Sequence, residues 1–136
     1  MSFQNQFTKT TTDANLMETV HHGSAEYPFR YYYENIALFD FKCIDWHWHS
    51  ELEFIYIESG NVVFDIGTVH FELNEGNGIM INSKILHRLQ SSSDAIIPNF
   101  LFQPSFIAPQ DSLIYKKYIN PVISSSLEYL VFQPDI

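Results

Sequence analysis

The sequence predicts an all-β barrel or sandwich with little helix. Three observations carry this. Hydrophobic residues make up 46% and aromatic residues 16% of the 136-residue chain, against 17% charged, and aromatic and β-branched side chains fit half-buried strands. From Tyr27 onward, short apolar segments alternate with closely spaced turn signals, the rhythm of sandwiches and barrels. No internal repeat, low-complexity segment or heptad stretch breaks that rhythm. The length suits one domain with a sizeable core.

Residues 1–26 are polar and weakly patterned. They read as an N-terminal arm, partly flexible, or as a tail docked on the barrel. His21 and His22 within it read as solvated rather than as a metal pair, because adjacent strand positions face opposite ways. The barrel domain is expected over residues 27–136. Phe29 to Tyr33 and Ile36 to Phe41 read as strands, and Leu52 to Glu58 is strongly β-prone. Ser59-Gly60-Asn61 is a turn signal and Val62 to Ile66 resumes as a strand, which predicts a hairpin. Gly67-Thr68 turns the chain into Val69 to Leu73, and Asn74-Glu75-Gly76-Asn77-Gly78 is the strongest breaker. Ile79 to Ile81, Ile85 to Leu89, Ile96 to Gln103 and Leu127 to Gln133 complete the strands. One helix is expected to open with Asp111 as N-cap, run through Leu113, Ile114 and Tyr118, and stop at Pro121.

The formal net charge is −9. A domain this acidic repels the phosphate backbone that dominates nucleic-acid affinity, so direct DNA binding by this chain is excluded. There is no basic helix to dock on anionic lipid, and no apolar run long enough to span a bilayer. Cys43 is the only cysteine, which forbids an intrachain disulfide and fits a reducing cytoplasm. The polar start carries no signal-peptide pattern. Cytoplasmic location is the expectation by default. Phosphate loops, nucleophile elbows and dinucleotide fingerprints are absent from the sequence.

Chemistry concentrates in His47-Trp48-His49-Ser50-Glu51-Leu52-Glu53. Residues two apart in a strand face the same side. His47 and His49 therefore pair, and Glu53 joins them if the chain stays extended. His87 closes a second glycine-led segment. Imidazoles and a carboxylate suit zinc, nickel, iron or manganese. The bland alternative is a polar pocket whose histidines hydrogen-bond Glu53 and an organic effector.

These residues resemble a known pattern. His47-x-His49-x-x-x-Glu53, then six residues and Gly60, resembles the first cupin motif. Gly76, five residues, and then the spacing to His87 resembles the second, and Asn61 to Glu75 is the compact inter-motif length of bacterial cupins. Asn82 stands at the motif's proline, Lys84 at its second glycine and Ser91 at its final asparagine. The ensemble is also similar to the sensor domain of AraC-type transcription regulators. Phe71 to Gly76, Ile81-Asn82, Asn99 to Phe106 and Leu113 to Pro121 carry that likeness, which covers roughly Tyr27 to Ile136. The resemblance implies a cupin-type double-stranded β-helix, or jelly roll, that binds a small-molecule effector such as a sugar. It also implies a homodimer as a candidate assembly, and DNA binding through a C-terminal helix-turn-helix domain absent from this chain. The end at Gln133-Pro134-Asp135-Ile136 without a closing helix suggests a fragment of a longer polypeptide.

Other residues are weighed against ordinary packing. Trp46 and Trp48 alternate with the histidines. They are candidate stacking platforms for a ligand, with packing under a loop or the arm as the favoured reading. Arg88 is a candidate clamp for an anion, with a surface ion pair favoured. Glu51 is expected in the bend and solvated. Asp65, Glu72 and Glu75 are expected to be solvated charges. Cys43 shares parity with His47 and is expected to point inward as a structural thiol. No catalytic residue is assigned. Three functions compete: an effector sensor, a small metal-dependent cupin enzyme of the isomerase or dioxygenase class, and a dimerisation domain with an empty barrel.

Overall fold

The structure is a computed structural model and describes residues 7–134. Among them, the strands are β1 (Phe29–Asn35), β2 (Cys43–His47), β3 (Leu52–Tyr56), β4 (Asn61–Ile66), β5 (Val69–Asn74), β6 (Gly78–Ile81), β7 (His87–Gln90), β8 (Ile96–Phe102) and β9 (Tyr129–Phe132). They form a five-stranded sheet ordered β1-β8-β3-β6-β9 and a four-stranded sheet ordered β2-β7-β4-β5. All the pairings are antiparallel. The core lies between the sheets. Ile55, Ile79, Ile81 and Ile97 from one face Val62, Phe64, Ile66, Leu73 and Leu89 from the other, all buried in one cluster. The two-residue period of the strands places Val62, Phe64 and Ile66 of β4 on one inner face and Ile97 of β8 on the other.

Three sequence expectations are corrected. Ser59-Gly60-Asn61 does not close a hairpin: β3 pairs with β6 and β8, while β4 pairs with β5 and β7 in the other sheet. The turn is a crossing point between sheets. Gly60 has φ +84°, and a Cβ there would sit 2.5 Å from the Asp94 carbonyl, so the turn packs directly on the segment leading into β8. The hairpin is instead β4–β5 across Gly67-Thr68.

Ile36 to Phe41 is not a strand. It curls into two 3₁₀ turns, Ile36–Leu38 and Asp40–Lys42. The Asn35 side-chain oxygen accepts from the Ala37 N–H at 3.0 Å and caps the first turn. Phe41 and Lys42 both adopt positive φ. The turns bury Ile36 and Phe39 and leave Phe41 on the surface.

The helical segment begins at Leu113, not at Asp111. The Ser112 hydroxyl caps it by accepting from the Tyr115 N–H at 3.1 Å. Pro121 does not end it. A wide π turn over Tyr115–Ile119 leads into an α turn, Asn120–Ile123, with the proline in its first positions, where a missing N–H loses no bond. Ile123 and Leu127 pack on Leu52, Met80 and Phe102, covering part of the outer face of the five-stranded sheet.

The arm, from Phe7 onward, docks on the barrel; its first six residues lie outside the described ones. Trp48 N–H donates to the Leu16 carbonyl at 3.0 Å, and Glu18 N–H to the Trp48 carbonyl at 2.9 Å. Met17 and Trp48 thus form a parallel bridge. The Thr10 hydroxyl accepts from the Asp45 N–H at 3.1 Å.

Candidate metal and effector site

The four candidate ligands come from both sheets. His47 ends β2 and lies directly opposite His87 at the start of β7, with ring centroids 4.2 Å apart. After His47 the chain bends through His49, Ser50 and Glu51 and crosses to β3, which carries Glu53. All four are buried, and one ligand atom from each lies within 4.8 Å of the other three. Bonds of about 2.1 Å to a metal place opposed donors about 4.2 Å apart, so a small contraction closes the set.

A bulge sets the orientation of His47. Between Ile44 and His47 the register against β7 shifts, so that three steps on β2 match two on its partner. An extra residue reverses parity beyond it. Ile44 and His47 therefore both line the cavity, although they are an odd number apart. Parity from a regular strand would turn Cys43 inward with His47. The bulge overturns that: Cys43 is half-buried and does not line the cavity.

The hydrogen bonds of the rings fix their chemistry. The Nδ1 atoms of His47, His49 and His87 meet the carbonyls of Asp45 at 2.7 Å, Glu51 at 3.0 Å and Ile85 at 2.7 Å. A carbonyl only accepts, so each Nδ1 carries the hydrogen. A neutral ring then presents a bare Nε2 to the centre, the arrangement of a metal-ligating histidine with its outer partner in place. Glu53 Oε1 lies 3.3 Å from both His49 Nε2 and His87 Nε2. Two lone pairs facing a carboxylate are repulsive unless a positive charge stands among them. The donor set therefore fits a divalent metal, and its substitute is protons on the rings.

Without a metal, the charges sort accordingly. Burial opposes ionisation of Glu53, but the hydrogen bonds and charges of His49 and His87 hold its carboxyl below the usual range. Burial also opposes charging His49, yet Glu53 lifts its pKa above the ordinary value. Burial, together with the charge of His87, pushes His47 down.

The cavity beside this cluster has a volume of about 50 Å³, room for a few waters at the ~10–15 Å³ that one water needs on this measure. Residues that the sequence reading did not assign to the site form other parts of its wall: Lys9, Glu18 and His22 from the arm, Tyr32 and Glu34 from β1, and Asn99 from β8. Glu34 accepts from Asn99 Nδ2 at 3.0 Å. Burial raises its pKa to about 7, and the Glu53 charge adds to the rise. Burial likewise raises Tyr32 to about 12. The available signal was a carboxylate at Glu34 and an amide at Asn99, each alternating with apolar neighbours on a strand.

His22 is buried, contrary to its expected solvation. Nδ1 lies 2.7 Å from the Tyr32 hydroxyl, and Nε2 pairs with the Glu18 carboxylate. Glu51 is buried as well, and its carboxylate accepts from the His22 N–H at 3.4 Å. Trp46, Trp48 and Arg88 do not line the cavity. Trp48 Nε1 donates to the Asn15 carbonyl at 2.9 Å, holding the arm. Arg88 lies over the Trp46 ring and pairs with Asp65 at 3.0 Å. Asp65, expected in solvent, is buried. Burial works against its charge, but His70 and Arg88 keep its carboxyl low.

The motif departures have structural explanations. Lys84 takes φ +65°, the left-handed conformation that favours the motif's glycine. Its N–H donates to the His49 carbonyl at 2.8 Å. Asn82 donates to the carbonyls of Val122 at 3.0 Å and Leu127 at 2.7 Å, pinning the helical segment. Ser91 lies in an exposed turn and contacts the Asn61 carbonyl at 2.9 Å.

Residues 38–108, just over half of the chain, match the AraC-like ligand binding domain. The chain belongs to this family. It is 33% identical over 121 residues to an uncharacterized HTH-type transcriptional regulator, YdeC, of Bacillus subtilis (strain 168). That match takes in 87% of this chain and 41% of the regulator, so the chain spans less than half of its relative's length. Among solved structures, an RmlC-like cupin from Shewanella frigidimarina is similar at 12% identity and TM-score 0.49, over 74% of this chain and 94% of that one. A cupin-2 domain protein from the same organism is similar at 14% identity and TM-score 0.47, over 53% and 68%. The AraC-like domain described here has the two-sheet, cupin-type jelly roll. Among the described residues, no helix is long and apolar enough to cross a membrane.

Proposed function

We propose that this AraC-like domain senses a small-molecule effector, with a divalent metal (zinc, nickel, iron or manganese) held by His47, His49, Glu53 and His87. The observation that carries the reading is the set of three carbonyl-fixed imidazoles whose Nε2 atoms surround one buried carboxylate. When bound, the metal supplies a Lewis-acidic anchor for an oxygen of the effector, such as a sugar hydroxyl or an organic-acid carboxylate. Glu34 and Asn99 offer polar contacts on the facing strands. Glu34, whose pKa burial raises to about 7, is part-protonated near neutral pH and can donate in that form. The cavity is too small for a sugar ring as it stands, so such an effector enters only as the arm residues give way.

In this reading the chain works in the cytoplasm as part of a longer, homodimeric regulator. DNA is bound by a helix-turn-helix domain outside this chain. A metal-dependent enzyme is the second reading, favoured by the donor set itself: with Lys84 adopting a positive φ and His87 facing Glu53, the motif departures leave the ligand geometry intact. The family membership favours the sensor.

The test combines metal analysis of the purified protein, a thermal-shift screen with sugars and organic acids, and a turnover assay on each hit. A true effector raises Tm by mass action, and the double substitution His47→Ala, His49→Ala removes the shift while the barrel stays folded. Sustained metal-dependent turnover of a hit would overturn the sensor reading.

A further inference from the structure

The arm contributes more to the site than a cover. Its backbone is hydrogen-bonded to the peptide between the first two ligands: Trp48, which separates His47 from His49, exchanges main-chain bonds with Leu16 and Glu18. This bridge delivers Glu18 into the cavity that His47, His49 and Glu53 line. The Glu18 side chain retains only 12% of its exposure. Such a carboxylate needs a positive partner. In the structure it has His22, and His22 is in turn fixed by the Tyr32 hydroxyl and packs edge-on against His49 at 5.8 Å between centroids. The Glu18–His22–Tyr32 hydrogen-bonded group thus packs directly, through the His22 ring, on the His49 ring that faces the buried Glu53.

We propose that Glu18 is the arm-borne partner of the metal centre, so that metal loading and arm docking are coupled. The inference rests on the metal reading above and adds a residue from outside the barrel motif. The physical reason is charge. Three neutral imidazoles and one carboxylate around a divalent cation leave a net charge of +1 at a buried site. Glu18 is the arm's only carboxylate among the cavity-lining residues; it is nearly buried while Lys9, the arm's cation there, is exposed to solvent, so the Glu18 charge is the one set against that excess. With the metal removed, what holds Glu18 in place is His22 and whichever rings take up protons. The arm then loses its strongest electrostatic anchor and keeps the main-chain bridge.

The experiment uses this chain, with Co²⁺ as the probe. Three readouts are followed: Co²⁺ affinity by titration calorimetry, the visible absorption of bound Co²⁺, and hydrogen exchange of amides in residues 7–24 with and without the metal. For the native chain, Co²⁺ slows exchange at Glu18 and Thr19, whose N–H groups donate to Trp48 and Thr11 carbonyls. Glu18→Gln is expected to weaken Co²⁺ binding about 10- to 100-fold, the range for partners outside the ligand set, and to abolish the metal-dependent slowing. Glu18→Asp restores part of both, and circular dichroism checks that the barrel stays folded. If Glu18→Gln binds Co²⁺ with native affinity and spectrum, or if its arm responds to Co²⁺ as the native arm does, the coupling is wrong while the metal centre stands. If the native chain binds no Co²⁺, the metal centre and the coupling fall together.

Discussion

Glu34 offers the sharpest quantitative test of the cavity's character. Burial raises its pKa from 4.5 to about 7. At ~1.36 kcal/mol per tenfold change in proton affinity, the difference corresponds to about 3 kcal/mol. The sign follows from proton counting. Between pH 4.5 and 7 the folded protein holds a proton on Glu34 that the unfolded chain has lost, so stability falls as pH rises through this window. Below pH 4.5 both states are protonated and the effect vanishes. Glu34→Gln keeps an oxygen to accept from Asn99 Nδ2 and removes the titration. The variant is therefore expected to match the native stability at pH 4 and to exceed it by about 3 kcal/mol at pH 8. Urea unfolding of both proteins in chelator, at unit steps from pH 4 to 8, measures the difference directly. Subtraction cancels the contributions of the other titrating groups common to the two proteins. A difference that stays flat across the range would refute the burial argument, and a difference that falls with pH would show that a cation, rather than a proton, satisfies Glu34.

Two further outcomes test the motif departures. Lys84→Gly is expected to stabilise the fold by about 0.5–1 kcal/mol, because relief of a left-handed conformation costing ~1–2 kcal/mol outweighs the added chain entropy of glycine; an unchanged or lower urea midpoint contradicts this. Asn82→Ala is expected to cost about 2 kcal/mol, since it deletes two part-buried hydrogen bonds, one to Val122 in the helical segment and one to Leu127 in the connection that follows it. The same change should speed exchange over residues 113–127 ahead of the barrel strands, and uniform exchange across both regions would argue against the pin.

The grouping of the four candidate residues was legible because the pattern that holds them is local. His47, His49 and Glu53 sit within one crossing between sheets, and His87 follows a glycine-led segment at fixed spacing. Gly76 was legible for the same reason, with φ +93° at the end of β5. What escaped was non-local or irregular. No period in the sequence marks the extra residue of the β2 bulge, yet it decides that Ile44 rather than Cys43 shares the inner face with His47. The arm carries no apolar alternation, since it pairs with Trp48 through main-chain bonds, and any sequence has those to offer. His22 and Glu51 looked solvated because each sits in a polar stretch. They are buried against each other, 29 residues apart in the chain.

The origin of the ligands has a mechanical consequence. His47 and His87 belong to the four-stranded sheet and Glu53 to the five-stranded one, while His49 lies in the crossing between them. A cation held by all four ties the two sheets together at the cavity. Through Trp48 it also ties them to the arm. A change of charge in a cavity of about 50 Å³ thus reaches three separate parts of the chain at once. In the proposed sensor, an effector bound at the metal would bring more atoms than the few waters the cavity can hold, so little of its bulk could be absorbed in place. Some element must move, and the arm is held to the ligand peptide by two main-chain bonds. The sheets, by contrast, are held by a continuous apolar core. The arm is therefore the part of least resistance, and in the proposed sensor it is the element that a bound effector would displace.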